Sequence, residues 1–91
     1  MKTIYKYTLD PGNLKIQMPI DAKILTAQGQ NDQICIWAEV DPDSLTEEVI
    51  FEVFGTGHEM PTGMGIDREY IGTAQIHNGS LVFHVYRYVG V

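Results

Sequence analysis

Residues 69–77 and 80–89 are runs of strand composition that meet at the dipeptide Asn78-Gly79. Asn-Gly is the preferred pair for a two-residue type I′ turn, because both central positions need positive φ and these residues tolerate it best. The two runs are therefore expected to fold back on each other as an antiparallel hairpin. In the second run Leu81, Phe83, Val85, Arg87 and Val89 fall on one face, with Val82, His84, Tyr86 and Tyr88 on the other. Both faces carry large side chains.

The same period runs through the rest of the chain. Tyr5, Tyr7 and Leu9 alternate with Ile4, Lys6 and Thr8. The turn formers Asp10-Pro11-Gly12-Asn13 then predict a hairpin or a sharp corner, after which Leu14, Ile16 and Met18 resume the alternation. Pro19 breaks that ladder, and residues 23–28 read as a further strand anchored by Ile24 and Leu25. The polar cluster 28–32 reads as an exposed connection. In residues 33–40, Ile34, Ile36, Ala38 and Val40 share one face, and Cys35, Trp37 and Glu39 share the other. After the turn Asp41-Pro42-Asp43-Ser44, residues 45–48 suit a short helical turn capped by Ser44 with Glu47 as its partner. Residues 49–54 have the composition of a central strand buried on both faces except at Glu52. The expected fold is all-β: one domain over residues 1–91, a compact antiparallel sandwich or small open barrel of six to seven short strands.

At 91 residues a lone core is marginal, so a homo-oligomer is expected to supplement it. The formal net charge of −6 argues against a long nucleic acid as partner, since a phosphate backbone requires a basic stripe; a compact anion still fits a locally positive pocket. Cys35 is the only cysteine, which rules out an internal disulfide and a Cys-rich zinc site and favours a reducing compartment. No apolar run approaches the roughly 20 residues of a membrane span, and the first residues lack a signal-peptide core. A cytoplasmic protein with no membrane partner is expected.

One stretch has the composition of a site: Gly55-Thr56-Gly57-His58-Glu59-Met60-Pro61-Thr62-Gly63-Met64-Gly65, which holds four of the nine glycines. Backbone N–H groups in such a loop can converge on an anion. The pattern is not a P-loop, and Met60 stands where a dinucleotide fingerprint needs its third glycine. A long hairpin crossing that merely needs tight turns explains the same glycines. His58 can donate to a phosphate or a carbonyl, and Arg68 and Arg87 can pair bidentately with one; each also fits a solvated surface. His77 beside the turn reads as exposed, and His84, among Tyr86 and Tyr88, as a hydrogen-bonded face residue. The three histidines have no ligand spacing, so no metal and no cofactor is expected. No nucleophile elbow occurs, and the carboxylate pairs Glu47-Glu48 and Asp41/Asp43 lie in polar turns, so an enzyme is not expected.

The segments Ile4-Tyr5-Lys6-Tyr7-Thr8-Leu9, Met18-Pro19, Trp37-Ala38-Glu39-Val40-Asp41, Phe54-Gly55-Thr56-Gly57-His58-Glu59-Met60-Pro61, Tyr70-Ile71-Gly72-Thr73-Ala74-Gln75 and Leu81-Val82-Phe83-His84-Val85-Tyr86 cover nearly the whole chain. Together they resemble a family of short proteins carried by bacteriophages and prophages. The most specific element is Gly-Thr-Gly-His-x-x-Pro at residues 55–61, followed by Tyr-Ile-Gly-Thr and a closing His-Val. The resemblance implies a phage accessory protein in the host cytoplasm. Small phage proteins of this size include oligomeric sponges that sequester the cyclic nucleotide signals of bacterial defence systems such as CBASS. On that reading a small nucleotide-like anion stacks its bases on Trp37 or Tyr86, with phosphate contacts from Gly55, Thr56, Gly57, His58 and Arg87 and with Arg68 and His84 nearby. The alternatives are a module that docks on a host or phage protein through its aromatic strand face, and a hydrolase using His58 and Glu59.

Overall fold

A strand with one apolar row must bury that row, and two sheets set face to face bury all such rows at once. The structure, a computed structural model, describes residues 1–90. It contains β1 (Thr3–Thr8), β2 (Lys15–Pro19), β3 (Lys23–Gln30), β4 (Gln33–Val40), β5 (Thr46–Gly55), β6 (Asp67–Ile76) and β7 (Leu81–Gly90), with no helix among the described residues. Sheet I has the order β1-β4-β3 and sheet II the order β2-β5-β7-β6, every pairing antiparallel. The protein is an all-β open sandwich.

Between the sheets lie Leu9, Met18, Ala27, Ile34, Ile36, Val49, Phe51, Ala74 and Val85, whereas Leu25, expected to anchor β3, sits at a bulge and is exposed. Burying a side chain the size of Phe51 or Met18, both essentially inaccessible, contributes about 1.5–3 kcal/mol. The hairpin at Asn78-Gly79 forms with the expected geometry: φ is 56° at Asn78 and 84° at Gly79, and the Ser80 N–H donates to the His77 carbonyl at 3.1 Å. His77 also has positive φ (51°), so a second, overlapping turn closes from the Gly79 N–H to the Ile76 carbonyl.

Three local expectations change and a fourth is resolved. Residues 28–30 are strand, not connection; only Asn31 and Asp32 turn, both with positive φ, and Gly29 belongs to β3 for a packing reason given below. Residues 45–48 form no helical turn. The Asp41 carbonyl takes the Ser44 N–H and its side chain takes the Asp43 N–H, while the Leu45 carbonyl accepts the Ile20 N–H, so sheet pairing wins over capping. Of the two alternatives for Asp10–Asn13, the turn is the corner and not the hairpin, because β1 and β2 lie in different sheets. On β5, Val49 and Phe51 are buried but Ile50 and Phe54 are only half-buried, since no third layer covers that face.

The glycine-rich segment is not a hairpin connection. β5 and β6 are both antiparallel to β7, so they run parallel to each other with β7 between them. Gly55 ends β5 beside Phe83, whereas Asp67 begins β6 beside Gly90. Residues 56–66 must therefore travel back along β7, roughly 23 Å at about 3.3 Å per strand residue. Two parallel strands of one sheet need such a long return.

The two lateral sides of the sandwich differ. At one side β3 and β6 cross in contact: a Cβ on Gly29 would overlap the Gln75 carbonyl oxygen, and one on Gly72 would lie 2.8 Å from the Ala27 carbonyl oxygen. Each strand also carries a bulge close by, at Leu25 and at Ile71. At the other side β1 and β2 pair only inward, with β4 and β5.

Candidate functional site

Four of the sequence-selected residues come together on the outer face of sheet II: Thr56, Arg68, His84 and Tyr86. They share it with Glu52 and Phe54 on β5 and with Tyr70 and Thr73 on β6. Alternation puts Glu52, Phe54, His84 and Tyr86 outward, as directly opposed pairs Glu52/Tyr86 and Phe54/His84. Tyr70 and Thr73 are three residues apart, which in a regular strand means opposite faces. The bulge at Ile71 restores Thr73 to the face of Tyr70, and the two hydroxyls hydrogen-bond.

Arg68 reaches across β7. Its Nε donates to Glu52 Oε1 at 2.8 Å and its Nη2 to Glu52 Oε2 at 3.3 Å, a bidentate pair that clips β6 to β5 although no ladder joins them. Its Nη1 donates to the Pro61 carbonyl at 2.9 Å, which holds the returning loop near this face. The guanidinium lies 5.2 Å from the Phe54 ring centroid. The hydrogen bond to Glu52, chiefly, pushes the Arg68 pKa above its usual value. Phe54 and Tyr70 each meet Tyr86 edge to face, at 5.8 and 5.4 Å between centroids.

A second group lies alongside. The Thr56 hydroxyl is 2.7 Å from His84 Nε2, the Thr73 hydroxyl is 3.1 Å from His84 Nδ1, and Tyr70 completes the chain. Either imidazole tautomer satisfies these bonds, because each hydroxyl both donates and accepts. A hydroxyl beside an imidazole is the first half of a nucleophile–base pair. Here the group orienting the base is neutral Thr73, which cannot stabilise an imidazolium as a carboxylate does. The arrangement ties the first loop residue to β7 and presents hydroxyls.

The loop glycines serve local geometry. A Cβ on Gly55 would stand 2.7 Å from the His58 ring, so His58 lies against that backbone. The His58 N–H, one of those an anion nest needs, donates instead to the Gly55 carbonyl at 3.0 Å. Gly57 provides the positive φ (85°) of the same turn. Trp37 and Arg87 stand apart from this face. Trp37 is half-buried on the outer face of sheet I between Lys6 and Thr26, where it covers the sheet. Arg87 follows the inward row, opposite Phe51, and lines a cleft of about 330 Å³ with Asp21, Glu47 and Val49. A cleft of about 550 Å³ opens at one end of the core, between Leu9, Leu14, Ile34, Val53 and Phe83. Neither cleft touches the aromatic face.

Sequence reading missed Glu52, Phe54, Tyr70 and Thr73 as members of this face. Glu52, alone among apolar neighbours on β5, was the available signal; nothing in the residues announces the bulge that aligns Tyr70 with Thr73. Among the described residues no group of three or more His, Cys, Asp or Glu is placed to hold a metal, and no helix is long and apolar enough to cross a membrane.

One protein-family model, described as a domain of unknown function (DUF7352), matches residues 1–90. The chain belongs to the DUF7352 family. No curated protein and no solved structure matches this DUF7352 domain.

Proposed function

We propose that this DUF7352 domain is a non-enzymatic binding protein that docks on a protein partner through the outer face of sheet II. The observation that carries the reading is the cluster Arg68, Phe54, Tyr86 and Tyr70, held rigid by a bidentate ion pair and edge-to-face contacts. Tyr and Arg dominate binding energy where they are pre-positioned, because little side-chain freedom is then lost on contact. Tyr70, on the edge strand β6, is 57% exposed. The face is not a pocket, whereas small molecules favour concave sites. Arg68, the cation of the cluster, is already neutralised by Glu52, which weakens its pull on a phosphate. In the phage setting that the sequence resemblance implies, the partner is a host or phage protein.

A photo-crosslinking residue in place of Tyr70 is expected to give one adduct of defined mass in extracts of phage-infected cells. Adding Arg68→Ala should abolish it, and the same group at exposed Leu25 on sheet I should give none. Equal adducts at both positions, or none at either, would sink the proposal.

The second reading, a sponge for a small nucleotide-like anion, draws on the exposed Tyr70 ring beside the hydroxyls of Thr56 and Thr73, a stacking surface next to hydrogen-bonding groups. Calorimetry with cyclic dinucleotides and trinucleotides separates the two. Heat that Tyr70→Ala removes would replace the protein partner with a small ligand.

A further inference from the structure

The sandwich has four edge strands, and three are blunted against pairing. β2 is five residues long and ends in Pro19; β3 and β6 are bulged and press on each other. β1 alone is regular, pairing with β4 without interruption from Thr3↔Val40 to Thr8↔Cys35, with no proline and no bulge. Ile4 and Tyr5 on it are exposed. From this contrast we infer that a second copy of the chain pairs with β1, antiparallel about a two-fold axis, with Tyr5 against the second copy's Tyr5.

The register follows from backbone direction and charge. The Leu9 N–H donates to the Ile34 carbonyl at 2.8 Å, and in an antiparallel ladder residues facing the neighbour alternate. Thr3, Tyr5 and Tyr7 therefore bond to β4, whereas Ile4, Lys6 and Thr8 present free N–H and C=O groups outward. Continuing both faces of the sheet requires opposed residues of like parity. Of the centres within β1, only Tyr5 and Lys6 let as many as five of its residues pair with the second copy. Centring on Lys6 sets two ammonium groups directly opposite each other, which is unfavourable. Centring on Tyr5 sets Ile4 opposite Lys6, exchanging backbone hydrogen bonds, and joins two tyrosines as a close non-hydrogen-bonded pair suited to aromatic contact. Lysine on an edge normally discourages pairing, but both lysines turn away from this one. Lys6 Nζ donates to Gln30 at 2.7 Å, and Lys2 Nζ lies 3.7 Å from Glu39. The inference is independent of the docking face, which a β1 dimer leaves open.

One short strand pair is a small interface, so dissociation in the micromolar range or weaker is expected. Sedimentation from about 5 to about 500 µM should show a monomer–dimer equilibrium, and Lys6→Pro, which removes an outward N–H and no bond to β4, should hold the chain monomeric. Tyr5→Cys should form a disulfide-linked dimer under mild oxidation about tenfold faster than Leu25→Cys, since a two-fold close pair meets the Cα separation a disulfide needs. A wild-type chain that stays monomeric at the highest concentration, or equal rates for the two cysteine variants, overturns the register or the interface itself.

Discussion

The two lateral sides of this sandwich solve the same problem in opposite ways. Where β3 meets β6, the sheets are joined without a hydrogen-bond ladder: two glycines let the backbones touch, and a bulge on each strand turns the chain into the contact. Where β1 and β2 end the sheets, each edge is left with the groups its inner neighbour does not use. The core is common to both sides, so burial of apolar rows does not decide which side closes. Missing side chains decide it. Closure depends on what Gly29 and Gly72 lack, and openness on the regular strand that β1 keeps.

The sharpest way to break that contrast is to add one methyl group. Gly29→Ala must displace the Gln75 carbonyl, part of the backbone of a paired strand, and is expected to cost about 3 kcal/mol. Gly72→Ala meets Ala27 backbone at 2.8 Å and should cost about 2 kcal/mol. Losing a glycine also restricts the unfolded chain, an opposing gain of about 0.4–1 kcal/mol that overlap with backbone outweighs. Urea unfolding measures both. A cost below about 0.5 kcal/mol for each would mean that the corner tolerates a side chain and is not closed by glycine.

A smaller effect is expected at the end of the same closed side. Asp32 occupies a left-handed position (φ 59°), and its Oδ1 accepts the His77 N–H at 2.9 Å, joining the tips of the β3–β4 and β6–β7 hairpins. Asp32→Ala loses the acceptor and places a Cβ residue without local hydrogen bonding in that conformation, at a cost of about 1–2 kcal/mol. Asp32→Asn keeps the acceptor and tolerates the turn, so its unfolding midpoint should stay close to wild type. If alanine and asparagine behaved alike, the two tips would be independent and the closed side would rest on its glycines alone.

How much of this was legible in the residues depends on the interaction involved. Alternation and turn chemistry are local, and they place the Asn78-Gly79 hairpin, the inward rows of β4 and β7 and the break at Pro19. Gly29 was read as turn because a glycine among glutamines and asparagine has turn composition. Its actual reason, the approach of Gln75, is 46 positions away in sequence and has no local trace. The same holds for the glycine-rich loop: its length is set by the span of β7, which follows from strand order and not from its own residues. For the candidate face, alternation pairs His84 with Tyr86 and sets Arg87 on the opposite face, where the structure has it; only the ligand that the resemblance implies brings Arg87 beside them. Glu52 and Thr73 became visible only through a cross-strand ion pair and a bulge.

The least perturbing probe belongs to the open side. Tyr7 projects from β1 against the core with Tyr5 at 6.3 Å, and burial, with Tyr5 adding to it, raises its pKa above 10.0. A raised folded-state value means that the phenol proton is held more tightly in the folded chain. Below about pH 10 both states carry it, so the contribution to stability is complete and constant. As pH climbs further, the unfolded chain releases the proton first, and stability is lost through the folded-state value. Tyr7→Phe should therefore run parallel to wild type from about pH 8 to about pH 10 and then flatten relative to it, read from urea midpoints across that range. Curves that stay parallel above pH 10 would mean that the phenol titrates as it does in water, and that the open side exposes Tyr7 fully when β1 has no second copy beside it.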